Sequence, residues 1–169
     1  MNYIFSAIFL YFFLGFLLYI FQRRIVFNKS GHPGAPKDYN LGNTEEVYIK
    51  TEDNLKLLSW YHKGNNSLPL IVYFHGNSFH IGDRAYRIQR YIEKNWSVLL
   101  VSWRGFGGNE GNPTEKNLYN DARKSVEWLN KAGVINKNII LYGESLGTCL
   151  LYTSPSPRDL TASRMPSSA

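Results

Sequence analysis

The stretch Ile139-Ile140-Leu141-Tyr142-Gly143-Glu144-Ser145-Leu146-Gly147 decides how this chain is read. Four apolar residues in a row read as a strand buried on both faces of a parallel sheet. The pattern G-x-S-x-G follows at once. In that setting the chain turns sharply from strand into helix and lifts the serine hydroxyl clear of the sheet. The flanking glycines let neighbouring backbone come close where a Cβ would clash. The free N–H groups at the start of the new helix carry partial positive charge, and that of Leu146 is the first. Ser145 is therefore the candidate nucleophile, and Leu146 a candidate donor to an oxyanion. The bare pattern is weak evidence in a chain with 14 glycines. Its place at the end of an apolar strand gives it weight.

Upstream, Leu68-Pro69-Leu70-Ile71-Val72-Tyr73-Phe74 is a second apolar run, and it ends in His75-Gly76-Asn77. Gly76 permits close backbone approach and leaves the Asn77 N–H as a second candidate oxyanion donor. His75 itself reads as a loop-packing residue, while His32, His62 and His80 read as surface residues. Between the two runs lies a third, Val98-Leu99-Leu100-Val101. Ile81 to Lys94 is helix-like, with Ile88, Tyr91 and Ile92 on one side. Asn112-Pro113-Thr114-Glu115 reads as a helix start with Asn112 as the cap, Pro113 in the first turn and Glu115 at the third position. Leu118, Ala122, Val126 and Leu129 then form one stripe, and Gly133 ends the helix. Earlier still, Glu46–Thr51 and Leu55–His62 alternate about a turn at Asp53-Asn54, as an antiparallel hairpin does. The fold class that follows is α/β: an opening antiparallel hairpin, then parallel strands with helices.

From Tyr3 to Phe21 there is no charged residue. A helix of that length nearly crosses a hydrocarbon core of roughly 30 Å. A signal peptide would need a positive leading region and a small-residue cleavage site, and a core helix would carry a polar face. Residues 1–22 therefore read as a transmembrane anchor. Arg23, Arg24 and Lys29 follow the span and no Lys or Arg precedes it, which places the remainder in the cytoplasm. One span with a short leading segment leaves a periplasmic or lumenal placement open. Residues 23–43 read as a juxtamembrane linker, and 44–148 as the α/β domain.

The chain has 169 residues, 44% of them hydrophobic and 19% charged, enough for one domain with a real core. Its net charge of +6 is mild and forms no Lys/Arg stripe, so no nucleic acid is expected. Cys149 is the only cysteine, so no internal disulfide framework exists, and no Cys/His spacing fits zinc. The Gly-rich Trp103–Gly111 stretch lacks the Lys-Ser/Thr of a phosphate-binding loop. Neither a cofactor nor a metal is expected.

From Gln22 to Gly147 the chain resembles the α/β-hydrolase superfamily, in particular its membrane-anchored serine hydrolases of the serine aminopeptidase-like or acyl-protein thioesterase-like kind. Carrying the resemblance are Phe21-Gln22-Arg23-Arg24, Tyr73-Phe74-His75-Gly76-Asn77, Trp103-Arg104-Gly105-Phe106-Gly107, Glu110-Gly111 with Pro113, Asp121-Ala122, and the Gly143–Gly147 pattern. It implies Ser145 as nucleophile, with the Asn77 and Leu146 N–H groups as the oxyanion hole. The reaction would be acyl transfer from an ester, thioester or amide to water. The partners it implies are an acyl-containing small molecule, a lipid, or an acylated or peptide substrate. Arg104 reads as structural.

A serine needs a base, and in this superfamily the partners follow in the order Ser, Asp/Glu, His. No histidine follows Ser145, and the only later acid is Asp159. The chain as it stands is expected to be inactive. Pro155 and Pro157 are set against a helix after the turn, and Asp159–Ala169 is small and polar, without strand or helix periodicity. Cys149–Ala169 resembles a translated sequencing-library adapter, so the native reading is expected to stop just after the nucleophile. The competing class is a non-catalytic, membrane-tethered binding or scaffold protein on the same fold.

Overall fold

A computed structural model of the chain describes residues 2–27 and 31–153. Helix α1 (Asn2–Val26) comes first. It is apolar on all sides, none of its apolar stretch Tyr3–Gln22 is buried, and it is long enough to cross a membrane. The sheet follows, with β1 (Thr44–Lys50), β2 (Lys56–His62), β3 (Leu70–Phe74), β4 (Ser97–Val101) and β5 (Ile139–Gly143). Its order is β1-β2-β4-β3-β5. The hairpin is antiparallel, with Val47 opposite Ser59, and β2 continues antiparallel onto β4 through Trp60 and Leu100. Strands β4, β3 and β5 run parallel, Tyr73 lying between Leu100 and Tyr142. The sheet thus opens antiparallel and turns parallel, as its sequence pattern predicts.

Alternation along the central strands divides the core in two. Val72, Phe74, Leu99 and Val101 face helix α3 (Glu115–Lys131) and helix α4 (Leu146–Thr153), packing with Leu118, Ala122, Val126, Leu129 and Leu150. Ile71, Tyr73, Val98 and Leu100 face helix α2 (Ala85–Ile92), packing with Ile81, Ala85 and Ile88. Strands β3 and β4 are buried at every residue, which accounts for their unbroken apolar runs. Strand β5 differs from its reading as a doubly buried strand. It is the edge of the described sheet, and Ile140 and Tyr142 stay exposed on one side.

Two helix starts also differ. Ile81–Arg84 is a turn of 3-10 helix, and the α-helix begins only at Ala85. The cap of α3 is Thr114, whose side chain accepts from the Asn117 N–H at 3.3 Å, in place of Asn112. Thr114 has the extended backbone that a cap adopts, with φ −134° and ψ 155°. The connector after α1 is packed chain: Pro33 and Pro36 are buried, Leu41 joins the second core, and the Tyr39 ring lies 5.4 Å from that of Trp60. Of the tail read as non-native, Cys149–Thr153 continues α4, and residues 154–169 lie outside the described residues.

Candidate active site

The parallel ladder runs straight into the turn. The Glu144 N–H donates to the Phe74 carbonyl at 2.9 Å, one step past the end of β5. Ser145 then adopts φ +50°, in the left-handed region that side chains with a Cβ avoid. The Gly147 N–H closes on the Glu144 carbonyl and the Thr148 N–H on that of Ser145, both at 2.9 Å, and α4 begins. Both glycines are required by space. A Cβ on Gly143 would lie 2.5 Å from the Gly147 oxygen, and one on Gly147 would strike the Phe74 carbonyl oxygen. The serine itself is exposed, and Leu146, half-buried, is the first residue of α4. Its N–H falls among the helix-start amides that have no intrahelical acceptor.

The loop after β3 meets this turn. A Cβ placed on Gly76 would be 3.3 Å from Ser145 Cβ and 3.5 Å from the Glu144 oxygen. Even an alanine there would require Ser145 to give way by a few tenths of an ångström. Asn77, half-buried, is the next residue along the loop. Ser145, Leu146 and the Asn77 loop, far apart in sequence, thus come together at one end of the parallel strands.

A polar cluster that the sequence reading missed ties the two segments. Arg84 donates from Nη2 to Glu144 Oε1 at 3.2 Å and from Nη1 to the Ser78 carbonyl at 3.0 Å. Tyr73 donates its hydroxyl to Glu144 Oε2 at 2.6 Å, and Arg87 lies 3.8 Å from the same oxygen. Burial pushes the Glu144 carboxyl up. The hydrogen bonds from Tyr73 and Arg84, with the charges of Arg84 and Arg87, outweigh it and leave the group below its ordinary range. Burial and the bond to Glu144 together raise the Tyr73 hydroxyl. Glu144 occupies a free position of G-x-S-x-G, which is the one signal that could have drawn attention to it.

His75 packs as expected of a loop residue. It is fully buried, its ring 5.8 Å from that of Trp103 and 5.6 Å from that of Phe106, and its carbonyl accepts from Trp103 Nε1 at 2.8 Å. Burial, reinforced by the Arg84 charge, lowers its pKa to about 3, so the ring stays neutral. Arg104 is buried between Asp121 and Asp53, with Nη2 2.6 Å from Asp121 Oδ1 and Nη1 2.7 Å from Asp53 Oδ2. It holds α3 to the β1–β2 turn. His32 is exposed and His80, half-buried, lies 3.3 Å from Asp83. His62 departs from its reading as a surface residue: it is buried at the end of β2, 3.2 Å from Thr44 Oγ1. Among the described residues no group of three His, Cys, Asp or Glu could hold a metal ion.

The exposed, left-handed serine stands on a strand-to-helix turn of the G-x-S-x-G kind, faced by a glycine loop from the neighbouring parallel strand. The family described as alpha/beta hydrolase fold matches residues 69–153, and the chain belongs to it. It is 34% identical over 144 residues to the uncharacterized protein Rv2307c of Mycobacterium tuberculosis, covering 80% of this chain and 50% of that protein. It is 31% identical to the uncharacterized membrane protein YNL320W of Saccharomyces cerevisiae, covering 85% and 53%. With the lysophosphatidylserine lipase ABHD12 of Danio rerio the identity is 28%, covering 67% and 35%. Among solved structures, the Pyrococcus furiosus esterase Pf2001 superposes with a TM-score of 0.59 at 27% identity, over 73% of this chain and 50% of that one. The chain spans about half the length of the first of these relatives, or less.

Proposed function

We propose that the gene product is a membrane-anchored serine hydrolase that cleaves an acyl ester. Ser145 Oγ attacks the carbonyl carbon, and the N–H groups of Asn77 and Leu146 stabilise the oxyanion of the tetrahedral intermediate. A histidine encoded beyond this chain takes the serine proton and returns it to the leaving group, and water then releases the acyl group. An acid residue orients that histidine. The observation that carries the reading is the exposed Ser145 at φ +50° with the Gly76 loop in contact behind it. The lipase and esterase names among the relatives support an ester over a peptide bond. Helix α1 is the anchor, and Arg23, Arg24 and Lys29 after it keep the domain on the cytoplasmic side.

A fluorophosphonate probe tests this on the complete gene product. Labelling that disappears in Ser145→Ala is expected. No labelling of the parent protein, or an authentic reading frame with no later histidine, would leave a tethered binding or scaffold protein instead.

A further inference from the structure

Strands β3, β4 and β5 end on the same edge of the sheet, at Phe74, Val101 and Gly143, and Ser145 stands on that edge. The chain that leaves α1 returns to it. The Phe27 ring lies 6.4 Å from the Phe106 ring, edge to face, and Phe106 belongs to the loop after β4. Phe106 in turn packs on His75, the residue before Gly76. Farther along, a Cβ on Gly107 would lie 3.5 Å from Pro33 Cδ, and one on Gly108 would lie 2.9 Å from His32 Cδ2. A Cβ on Gly31 would lie 3.1 Å from His80 Cδ2. The described chain on both sides of residues 28–30 is therefore fastened to the loops that frame the serine.

Length arithmetic then sets the height of this rim. Gln22 closes the apolar stretch, and Phe27 is five residues on, about 7–8 Å along a helix axis. The headgroup layer on each side of the hydrocarbon is about 5–8 Å deep. With α1 across a bilayer, Phe27 and the Phe106 loop lie at the top of the headgroups. A third observation is independent of the first two. Phe79, two residues after Asn77, is 52% exposed and held at φ +61°. A bulky aromatic in that conformation costs on the order of 1–3 kcal/mol. A headgroup layer favours an exposed aromatic ring more than water does.

We infer that the rim carrying Ser145 is the surface of the domain that faces the bilayer, and that the substrate is an acyl ester of a membrane lipid, taken from the headgroup layer. The substrate part rests on the hydrolase reading above, whereas the surface part rests on α1 as the anchor and on geometry. Ester carbonyls of glycerolipids lie where headgroup meets hydrocarbon, about one headgroup depth below this rim, so a lipid need rise only that far to present its carbonyl to the serine and is not drawn wholly into water.

Two measurements on the full-length gene product in phosphatidylcholine vesicles decide it. With every native cysteine replaced by serine, fluorophores are attached at Phe79→Cys on the rim or at Lys137→Cys beside the start of β5, on the opposite edge. Nitroxide-labelled lipids are expected to quench the first more strongly; equal quenching, or stronger quenching at 137, overturns the inference. Next, a Gly/Ser insertion of about twenty residues after Asn28 lengthens the tether and leaves every catalytic group in place. Vesicle-borne p-nitrophenyl palmitate should then be cleaved about tenfold more slowly, with p-nitrophenyl acetate unchanged. Unchanged palmitate cleavage, or equal loss of both esters, overturns the substrate assignment. Stronger quenching at 79 without fluorophosphonate labelling would sink the hydrolase reading alone and leave the rim assigned to the membrane.

Discussion

Arg84 and Glu144 meet at 3.2 Å although 60 residues separate them, and the same guanidinium holds the Ser78 carbonyl. One side chain thereby fixes the spacing between the turn that carries Ser145 and the loop that carries Asn77. Arg84→Met keeps most of the stem volume and removes the fork. Glu144 is then left with Tyr73 and the more distant Arg87, and the Ser78 carbonyl loses its donor. Breaking a fully buried pair costs about 3–5 kcal/mol; here, with side chains 10% and 21% exposed, about 2 kcal/mol is expected in urea denaturation. In the complete gene product, fluorophosphonate labelling of Ser145 should slow about tenfold. Arg84→Lys should recover part of the stability but little of the labelling rate, because a point charge cannot hold two acceptors at fixed geometry.

Ser145 is held in a conformation that only glycine adopts freely. Ser145→Gly should therefore raise stability by about 1 kcal/mol while abolishing labelling. Ser145→Ala should abolish labelling with no such gain, since alanine keeps the Cβ. Paired thermal melts of the two variants check this. Equal melting temperatures would mean that the turn is not strained at that residue.

Much of this fold was legible before any coordinates. Residues with few structural options carried it: the unbroken apolar runs of β3 and β4, the alternation of the hairpin, and the stripe on α3. The Ser145 turn was legible because glycine at 143 and 147 has a steric reason that the strand before it makes plain. The order of the strands was not, since the β2–β4 pairing depends on contacts some 40 residues apart. The Arg84–Glu144 pair was invisible for the same reason. Two charged residues in separate segments look like solvated surface until the fold joins them. His62 was misjudged because nothing in its own neighbourhood announces Thr44 across the hairpin. The start of α2 was misplaced because His80 and Asp83 close a tight turn first, the His80 N–H donating to Asp83 Oδ2 at 3.3 Å.

Gly147 gives the sharpest steric prediction. An added Cβ would strike main chain at Phe74 (its carbonyl oxygen, with the carbonyl carbon at 2.9 Å), which cannot swing aside as a long side chain can. Gly147→Ala should cost about 3 kcal/mol, the upper end for overpacking, and should slow labelling by displacing α4 from β3. Gly15→Ala, with nothing within 4 Å of its Cβ position, is the control that should leave both unchanged. Urea midpoints for the two variants read the contrast directly.

His75 predicts a pH dependence of known sign. Its pKa is about 3 in the fold and about 6.5 in an unfolded chain. Between those values the unfolded state binds a proton that the folded state refuses, so stability falls as pH drops below about 6.5 and levels off near 3. The stability due to a neutral His75 is fully present above pH 6.5. Moving from pH 7.5 to pH 5 should remove about 2 kcal/mol through this residue. His62, also lowered by burial, contributes in the same direction. Urea unfolding of the parent and of His75→Gln at the two pH values isolates the His75 share. The variant is less stable at both, because it loses the packing against Trp103 and Phe106, but its stability should change less between them by about that amount. An unchanged difference would mean that His75 is reached by water and titrates in the folded protein, and the packed wall behind Gly76 would then be open.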